Sequence, residues 1–414
     1  MSQYRAYPAY KDSGVEWIGQ VPEHWKIAQI KRISALNPRK STLSEEKDSL
    51  CTFLPMEKLR TNAVILDETR PIHEVYGGYS YFCDGDILIA KVTPCFENGN
   101  IAVANGLVNG IGFGSTEINV LRVNGKGHNR FLYYRLQEEQ FRTIAKSEMR
   151  GTGGLKRVPT DLFESFTIGL PDTDEQATIA ATLDRETARI DALVEKKTRF
   201  IELMKEKRQA LITHAVTKGL DPNVKMKDSG VEWIGQVPEH WKVARVKRLV
   251  SLRNERRNDV STDTIYIGLE DVEAGSGQYK PTNGSSRQSE DSTVGIFYEG
   301  DVLYGKLRPY LRKAIISEMA GCCSTEFLVL RAEKTEPRWL QEWLLTPDVT
   351  HQIESGCEGA KMPRADWGHI GSIEVVYPDQ PEQAQILTTL DRETARIDAL
   401  ISKVEQSITL LKER

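Results

Sequence analysis

The sequence that decides the architecture is KDSGVEWIGQVPEHWK at Lys11–Lys26, because the same stretch returns unchanged at Lys227–Lys242. A second stretch, TLDRETARIDAL, occupies Thr182–Leu193 and again Thr389–Leu400. The segments between these repeats differ widely. Constant segments that alternate with variable ones indicate one architecture used twice, and a repeat of this length is a whole domain plus a connector rather than a solenoid unit.

Composition is that of an ordinary globular protein. The 414 residues leave room for two or three domains, and 39% hydrophobic and 28% charged residues are typical values. No apolar run is long enough to cross a bilayer, and residues 1–14 lack the apolar core of a signal peptide. The six cysteines show no CxxC spacing, which predicts reduced thiols and a cytoplasmic location rather than disulfides or a zinc site.

Charge is spread unevenly along the chain. The formal net charge is −4, yet Arg142–Arg157 and Arg245–Arg257 are basic while Asp172–Glu195 is acidic. Local basic patches can bind phosphates while an acidic element elsewhere cancels the total. The charge distribution therefore permits DNA binding without arguing for it.

Two long helices are predicted around the TLDRETARIDAL repeat. A capping box of Asp, two residues and Glu follows Pro171 and again Pro378. Heptad seams follow in both copies, formed by Leu183, Ile190, Met204 and Leu211 and by Leu390, Ile397, Val404 and Leu411, with Leu193, Phe200, Ile386 and Leu400 beside them. The seams favour antiparallel pairing of the two helices as an intramolecular coiled coil. The alternative is that each seam packs on its own globular domain.

The expected fold is α/β (α+β), with two globular domains joined by the paired helices and an approximate twofold relationship. The predicted segments are a first domain at 1–171, a helix at 172–219, a second domain at 220–378 and a helix at 379–414. The second helix is expected to end early, because the last part of the first helix has no counterpart in it.

Short motifs indicate that the two variable domains are related. Gly85-Asp86-Ile87-Leu88 is matched by Gly300-Asp301-Val302-Leu303, and Ser115-Thr116-Glu117 is matched by Ser324-Thr325-Glu326. Each motif borders a β-rich run. One scaffold with two different surfaces is the simplest interpretation.

The sequence contains no recognisable catalytic centre. It lacks the phosphate-binding GxxxxGK[ST] loop, HExxH, GxSxG and a strand-loop GxGxxG, and Asn37-Pro38-Arg39 departs from an amino-methyltransferase motif. His24 and His240 have no acidic or cysteine neighbours that would suggest a metal site, so a structural role is predicted. The tryptophan-rich repeat that contains them is predicted to clasp each domain to the helices.

Two loops rich in glycine and cations are the best candidates for ligand binding. They are Arg150–Arg157 (RGTGGLKR) and Ser355–Arg364 (SGCEGAKMPR). Glycine lets backbone N–H groups approach a phosphate, whereas a flexible loop with incidental charge is the alternative. Nearby Asn and Arg side chains suit adenine and guanine edges, and the strand-end lysines could contact phosphates or simply be solvated. The candidate DNA-binding residues are Lys91, Asn98, Asn100, Arg150, Lys156, Arg157, Lys306, Arg308, Arg312, Lys361 and Arg364.

The repeated VEWIGQVPEHW anchors, the paired EQA and LDRETARIDAL helices and the two divergent domains closely resemble the DNA-specificity subunit of type I restriction–modification systems. The resemblance covers essentially the whole chain. It implies a non-catalytic, DNA-binding subunit of a host-defence system, in which each variable domain reads one half of a split duplex DNA target. A two-headed coiled-coil scaffold that binds proteins without reading DNA is the rival hypothesis.

The resemblance also implies partners. Two methyltransferase subunits would dock on the helices and carry S-adenosylmethionine, and restriction subunits with ATP and Mg would complete the nuclease. The chain itself is expected to hold no cofactor, no metal and no membrane contact. The predicted docking residues lie in the two identical helical stretches and are Arg185, Arg189, Arg392 and Arg396.

Overall fold

The architecture is described from a computed structural model. It describes residues 6–43, 46–152, 154–261, 263–282, 292–357, 359 and 361–413. The chain divides into two compact units, residues 1–191 and 192–414. None of the helices in the described ranges is long and apolar enough to cross a membrane.

The first unit is built mainly of short strands. These are β1 Tyr10–Asp12, β2 Gln20–Pro22, β3 Lys26–Gln29, β4 Ser34–Leu36, β5 Leu50–Leu54, β6 Leu59–Arg60, β7 Ala63–Val64, β8 Thr69–Pro71, β9 Ser80–Cys83, β10 Ile87–Ala90, β11 Ile101–Val103, β12 Ile111–Gly114, β13 Ile118–Val123 and β14 Thr167–Leu170. Its helices are α1 Ile72–Val75, α2 Asn129–Arg135, α3 Glu139–Ser147 and α4 Leu162–Ser165, followed by α5 Thr173–Lys218, which continues into the second unit.

Two four-stranded sheets form the centre of the first unit. One has the antiparallel order β11-β10-β13-β4, and the other has the order β8-β5-β12-β9 with β5 and β12 parallel. Strand β10 is a continuous apolar run because both of its faces are buried. Ile87 and Ile89 join the core under α2, α3 and α4, whereas Leu88 and Ala90 join a second core.

The second unit repeats this plan with different residues. Its strands are β15 Met226–Asp228, β16 Gln236–Pro238, β17 Lys242–Arg245, β18 Val250–Arg253, β19 Arg256–Arg257, β20 Tyr266–Ile267, β21 Val294–Phe297, β22 Val302–Gly305, β23 Ala314–Ile316, β24 Gly321–Cys323, β25 Phe327–Ala332 and β26 Glu374–Tyr377. Its helices are α6 Pro337–Leu344, α7 Pro347–Ser355, α8 Trp367–Ser372 and α9 Gln380–Lys412.

Strand order confirms that the two variable domains share a scaffold. The order β23-β22-β25-β18 matches β11-β10-β13-β4, and the parallel pair β20 and β24 matches β5 and β12. In both units a hairpin built from the repeated anchor precedes a strand that pairs with the last strand before the long helix. The units differ at a sheet edge, where β8 borders β5 in one and β19 borders β21 in the other.

Within the second unit, α5 and α9 pack side by side in opposite directions. Arg208 of α5 forms an ion pair with Asp398 of α9 at 3.1 Å, and further along α5 Ile212 and Val216 share a core cluster with Leu390. Residue numbers that rise along one helix and fall along the other define antiparallel pairing, as the seams predicted. That cluster also contains Trp241 and Trp339 of the globular part, so the alternative packing of the seam on its own domain is realised as well.

The structure corrects part of the predicted seam. Leu193, Phe200 and Leu400 are exposed, whereas Ile201 and Ile401 are buried. The predicted seam residue Leu183 is exposed too. The helix stripe that faces a partner is set by alternating three- and four-residue steps, so at 201 and 401 the position after the predicted residue faces inward. The division into four segments at 171, 219 and 378 stays a prediction, since the two compact units divide inside α5.

Candidate nucleic-acid interface

The repeated anchor is held by a glutamate in the first turn of the long helix. In the first unit Trp25 Nε1 donates to Glu175 Oε1 at 3.1 Å, and His24 Nε2 lies 2.8 Å from Glu175 Oε2. Tyr7 donates its hydroxyl to the same carboxylate at 2.6 Å. Partial burial raises the pKa of Glu175, but the hydrogen bonds from Tyr7, His24 and Trp25 outweigh it and leave that pKa lowered.

The second unit repeats this clasp. Trp241 Nε1 donates to Glu382 Oε1 at 3.1 Å, and His240 Nε2 lies 2.7 Å from Glu382 Oε2. The backbone N–H of Glu382 donates to Asp379, which caps α9 as the capping-box pattern predicted. The structural role predicted for His24, His240, Trp25 and Trp241 is therefore confirmed.

A buried glutamine behind each clasp was missed at the sequence level. Gln176 accepts a hydrogen bond from His128 N and donates to Pro171 O, and Gln383 accepts one from Glu336 N and donates to Pro378 O. Both side chains are buried. The sequence signal for this glutamine was the Glu-Gln pair that follows the start of both long helices. A buried amide must have fixed hydrogen-bond partners, so a glutamine that recurs at this position is a candidate for such a role.

The strand-end lysines and the loop arginines form a matching cluster in each unit. Arg157 pairs with Glu117 through two hydrogen bonds of 2.8 Å, and the backbone of Lys91 accepts from Val158 N and donates to Glu117 O. The ion pair removes one positive charge from the set predicted to contact DNA. It also fixes the end of the glycine loop beside Lys91.

The equivalent cluster in the second unit uses Arg364, Glu326 and Lys306. Arg364 lies 3.2 Å from Glu326, Ala365 N donates to Lys306 O, and Lys306 N donates to Glu326 O. We call these two sets the cation clamps, defined as Lys91, Glu117 and Arg157 and as Lys306, Glu326 and Arg364. The matching Ser-Thr-Glu motifs in the sequence are thus explained by the clamp glutamates.

The glycine loop of the first unit has a defined shape. Thr93 Oγ1 donates to Gly154 O at 2.5 Å and accepts from Lys156 N at 3.0 Å. Gly151 has a φ of +141°, and a Cβ there would lie 2.4 Å from Leu155 O, so the loop requires glycine. Gly153 of this loop, and Glu358 and Ala360 of the second loop, lie outside the described residues.

The remaining candidates lie in different surroundings. Arg150, Lys156, Lys361 and Asn98 are exposed, whereas the side chain of Asn100 is buried. Arg308 lies beside its loop, with its N–H donated to Pro363 O at 2.8 Å. The Arg312 guanidinium donates to Leu345 O at 3.3 Å and lies 3.5 Å from Gln209 of α5. No described contact tests DNA binding at any of these positions, so their assignment stays a prediction.

A buried aspartate in the Gly-Asp motif is neutralised differently in the two units. Asp86 accepts a hydrogen bond of 2.8 Å from Nε of Arg122 in β13. Asp301 accepts one of 2.8 Å from Nε of Arg253 in β18. The strand register places Arg331 where the first unit has Arg122, and Arg331 is exposed. One member of the basic stretch Arg245–Arg257 therefore has a structural partner.

The predicted docking arginines are presented alike in both long helices. Arg185 and Arg189 flank Glu186 at 3.3 and 3.5 Å, and Arg392 and Arg396 flank Glu393 at 3.0 and 2.8 Å. All four arginine side chains are more than three-fifths exposed. We call these the arginine ladders of α5 and α9.

The opposite side of each ladder faces its own globular part. Asp184 accepts hydrogen bonds from Arg130 and from Tyr134, the latter at 2.6 Å, and the matching Asp391 lies 3.8 Å from Arg338. Burial lowers the pKa of Arg130 whereas its bonds to Asp184 raise it, with a net rise. Asp184 is thus held against the globular part of its unit, whereas Asp391 is 66% exposed and only approaches Arg338.

The described side chains offer groups that are suited to binding. Among them there is no cluster of His, Cys, Asp and Glu that could hold a metal ion, and all six cysteines are unbridged. Lysine and arginine beside glycine-rich backbone are suited to a polyanion.

Comparison with known proteins identifies the domain. Residues 22–203 match the family model described as type I restriction modification DNA specificity domain. Residues 22–203 therefore carry a domain of this family, and the chain is similar to type I restriction–modification specificity subunits. The matched family domain is a DNA specificity domain rather than an enzyme, which agrees with the predicted non-catalytic chain.

Members of this family match part of the chain. The type I restriction enzyme EcoEI specificity subunit of Escherichia coli is 32% identical over 167 residues, which are 40% of this chain and 28% of that protein. The EcoAI specificity subunit of Escherichia coli is 36% identical over 163 residues, which are 39% of this chain and 27% of that protein. The chain thus spans little more than a quarter of the length of these relatives.

Solved structures support the fold of the specificity-subunit family. The HsdS subunit from Thermoanaerobacter tengcongensis has a TM-score of 0.60 at 16% identity, covering 95% of both chains. A chain from a structure on the complex assembly and conformational transition of the type I R-M system has a TM-score of 0.72, also at 16% identity and covering 95% of both chains. The predicted α+β fold with two domains is confirmed.

Proposed function

We propose that this chain is the DNA-recognition subunit of a type I restriction–modification complex, in which each unit reads one half of a split duplex target. The observation that carries the proposal is the pair of cation clamps, which recur at the same sheet position although the surrounding sequences differ. Contacts to phosphates position a protein on DNA without reading its sequence, so they are the contacts that two domains with different targets share.

The surfaces beside the clamps supply the difference. In the first unit Lys91 lines a cleft of about 270 Å³ together with Lys40, Tyr79 and Tyr81. Strand β9 there carries Ser80 and Tyr81, whereas the matching strand β21 carries apolar and small residues, Gly295 and Ile296. Unlike groups beside a like cation are suited to unlike base sequences.

The partners follow from the arginine ladders. Two identical exposed ladders favour two copies of one partner, which we propose to be the methyltransferase subunit with its S-adenosylmethionine. Restriction subunits, with ATP and Mg, would join that complex. The complex would lie in the cytoplasm, where the DNA is. The chain would supply binding surfaces only.

Salt-dependent DNA binding tests the proposal. The purified complex of this chain with its methyltransferase subunit is titrated with duplex DNA that contains its target, at several salt concentrations. Lys91→Ala and Lys306→Ala are each expected to weaken binding to all sequences and to lower the salt slope by about one. The controls are Lys126→Ala and Lys334→Ala, exposed lysines outside the clamps.

The same titration separates the rival protein-binding scaffold. A scaffold would bind its protein partner normally and show no salt-dependent affinity for duplex DNA, with no difference between clamp and control variants. Tight binding that distinguishes target from non-target duplex would exclude it.

A further inference from the structure

One exposed apolar side chain recurs on the glycine loops of both units. Leu155 is 58% exposed and Met362 is 46% exposed. Each lies two residues before the clamp arginine, and each arginine forms an isolated β-bridge, Arg157 with Val92 and Arg364 with Leu307. The two apolar side chains therefore occupy equivalent positions although the loop sequences differ.

Their surroundings are cationic rather than apolar. Lys156 follows Leu155 and Lys361 precedes Met362, and both lysines are exposed. The first loop is braced from beneath by Thr93, which binds Gly154 O and Lys156 N. A single exposed apolar residue is ordinary on a protein surface. Its recurrence at one position of two cationic loops, each joined to a strand end by the β-bridge of its clamp arginine, requires another explanation.

We propose that Leu155 and Met362 are apolar wedges that insert into the base stack of duplex DNA, one in each half of the target. This rests on the proposed DNA-recognition function and assigns two of its contacts. The flanking lysines and the clamps would hold the phosphates, and the leucine or methionine side chain would enter between neighbouring bases. Proteins that deform DNA use Leu and Met in this way, at the cost of unstacking.

The wedge has a consequence for modification. An enzyme that methylates a base must take it out of the helix, and partial unstacking lowers the cost of that step. A wedge in each unit would therefore assist modification of its own half of the target and leave the other half unaffected. Sequence readout would be unchanged, because an apolar side chain forms no hydrogen bond to a base edge.

The test uses the complex with the methyltransferase subunit and its duplex target, with 2-aminopurine beside the modified base in one half at a time. The wild-type complex should raise the fluorescence of both probes, since unstacking relieves quenching. Leu155→Ala should abolish the rise in one half only and slow its methylation by about tenfold or more, and Met362→Ala should do the same in the other half. Leu155→Met should retain the rise.

The controls separate this inference from the proposed function. Leu50→Ala and Met319→Ala, exposed apolar residues outside the loops, should leave both probes unchanged. If the wild-type complex binds and methylates the target but Leu155→Ala and Met362→Ala match it, the wedge is wrong and DNA recognition stands. If these variants instead lose the methyltransferase, the apolar side chains bind protein. If the wild-type complex binds no DNA, both ideas fall.

Discussion

The indole Nε1 of Trp241 donates a hydrogen bond to Glu382 Oε1 at 3.1 Å, which ties the repeated anchor to the first turn of α9. His240 bonds to the other oxygen of that carboxylate. Glu382→Ala leaves the two donors without their acceptor, so the free energy of unfolding should fall by about 1–3 kcal/mol. Urea denaturation measures it. Glu405→Ala, on an exposed face of the same helix, should change it by less than about 0.5 kcal/mol, and an equal effect of the two changes would refute the clasp.

The clasp of the first unit predicts a dependence of stability on alkaline pH. Burial and then the bond to Glu175 raise the pKa of Tyr7 to about 12. An unfolded tyrosine titrates near pH 10, so the Tyr7 contribution is complete below about pH 10 and lost as the pH rises towards 12. The difference in urea midpoint between wild type and Tyr7→Phe should therefore be present near pH 8 and shrink over that window. Exposed Tyr310→Phe should show no such trend.

The clasp also predicts a dependence of stability on acidic pH, with the opposite sign. Because the pKa of Glu175 is lowered in the folded state, its contribution is present above about pH 4.3 and disappears as the pH falls through the folded value. Glu175→Gln should be less stable than wild type at neutral pH, and the two should converge in acid. The matched change is Glu164→Gln, an exposed glutamate of the same unit. A constant gap down to low pH would contradict the assignment.

The ion pair between the half-buried Arg253 and the buried Asp301 predicts an effect on stability that the sequence alone would assign to the wrong arginine. Arg253→Met leaves the buried Asp301 carboxylate unpaired, which should cost about 3–5 kcal/mol. Arg331→Met should cost less than about 0.5 kcal/mol, although Arg331 occupies the position of Arg122, which binds the same aspartate in the first unit. Thermal and urea unfolding measure both. Equal losses would mean that the swap of arginines is not structural.

Repeats and helix signals could be predicted from the sequence because they depend on short, local patterns. The capping boxes set the start of α9 next to Asp379, and the Gly-Asp motifs marked the central strands β10 and β22. The clamp glutamates were visible only as matching Ser-Thr-Glu motifs. What they bind depends on loops distant in sequence, which no local pattern encodes.

Side-chain partners across strands could not be predicted. Arg122 and Arg253 reach equivalent aspartates from different strands, and only the register reveals it. Arg312 was predicted to reach a base edge because it lies just beyond Lys306. The sequence did not reveal that the left-handed backbone at Arg308 and Arg312 turns this loop, or that the Arg312 guanidinium bonds to Leu345 O. Spacing cannot reveal such tertiary contacts, and DNA contact by Arg312 stays a prediction.

The arginine ladders predict how the complex assembles. Arg189→Glu and Arg396→Glu reverse an exposed charge in each identical helix surface, so each change should weaken methyltransferase binding by at least about tenfold. Analytical ultracentrifugation of the purified partners measures it. Arg199→Glu is the control, because Arg199 is an exposed arginine on α5 outside the repeated stretch. If the control weakens assembly as much, the ladders are not the docking surface.

Mapping methylated bases across the genome of a host that expresses this chain with its methyltransferase subunit tests the central claim most directly. Two related units with different surfaces should produce a split motif of two unlike half-sites at a fixed gap, with modified bases on opposite strands. Replacing Ser80 by its second-unit counterpart (Ser80→Gly) should alter one half-site and leave the other intact. A contiguous motif, or no motif while the complex assembles, would contradict the account.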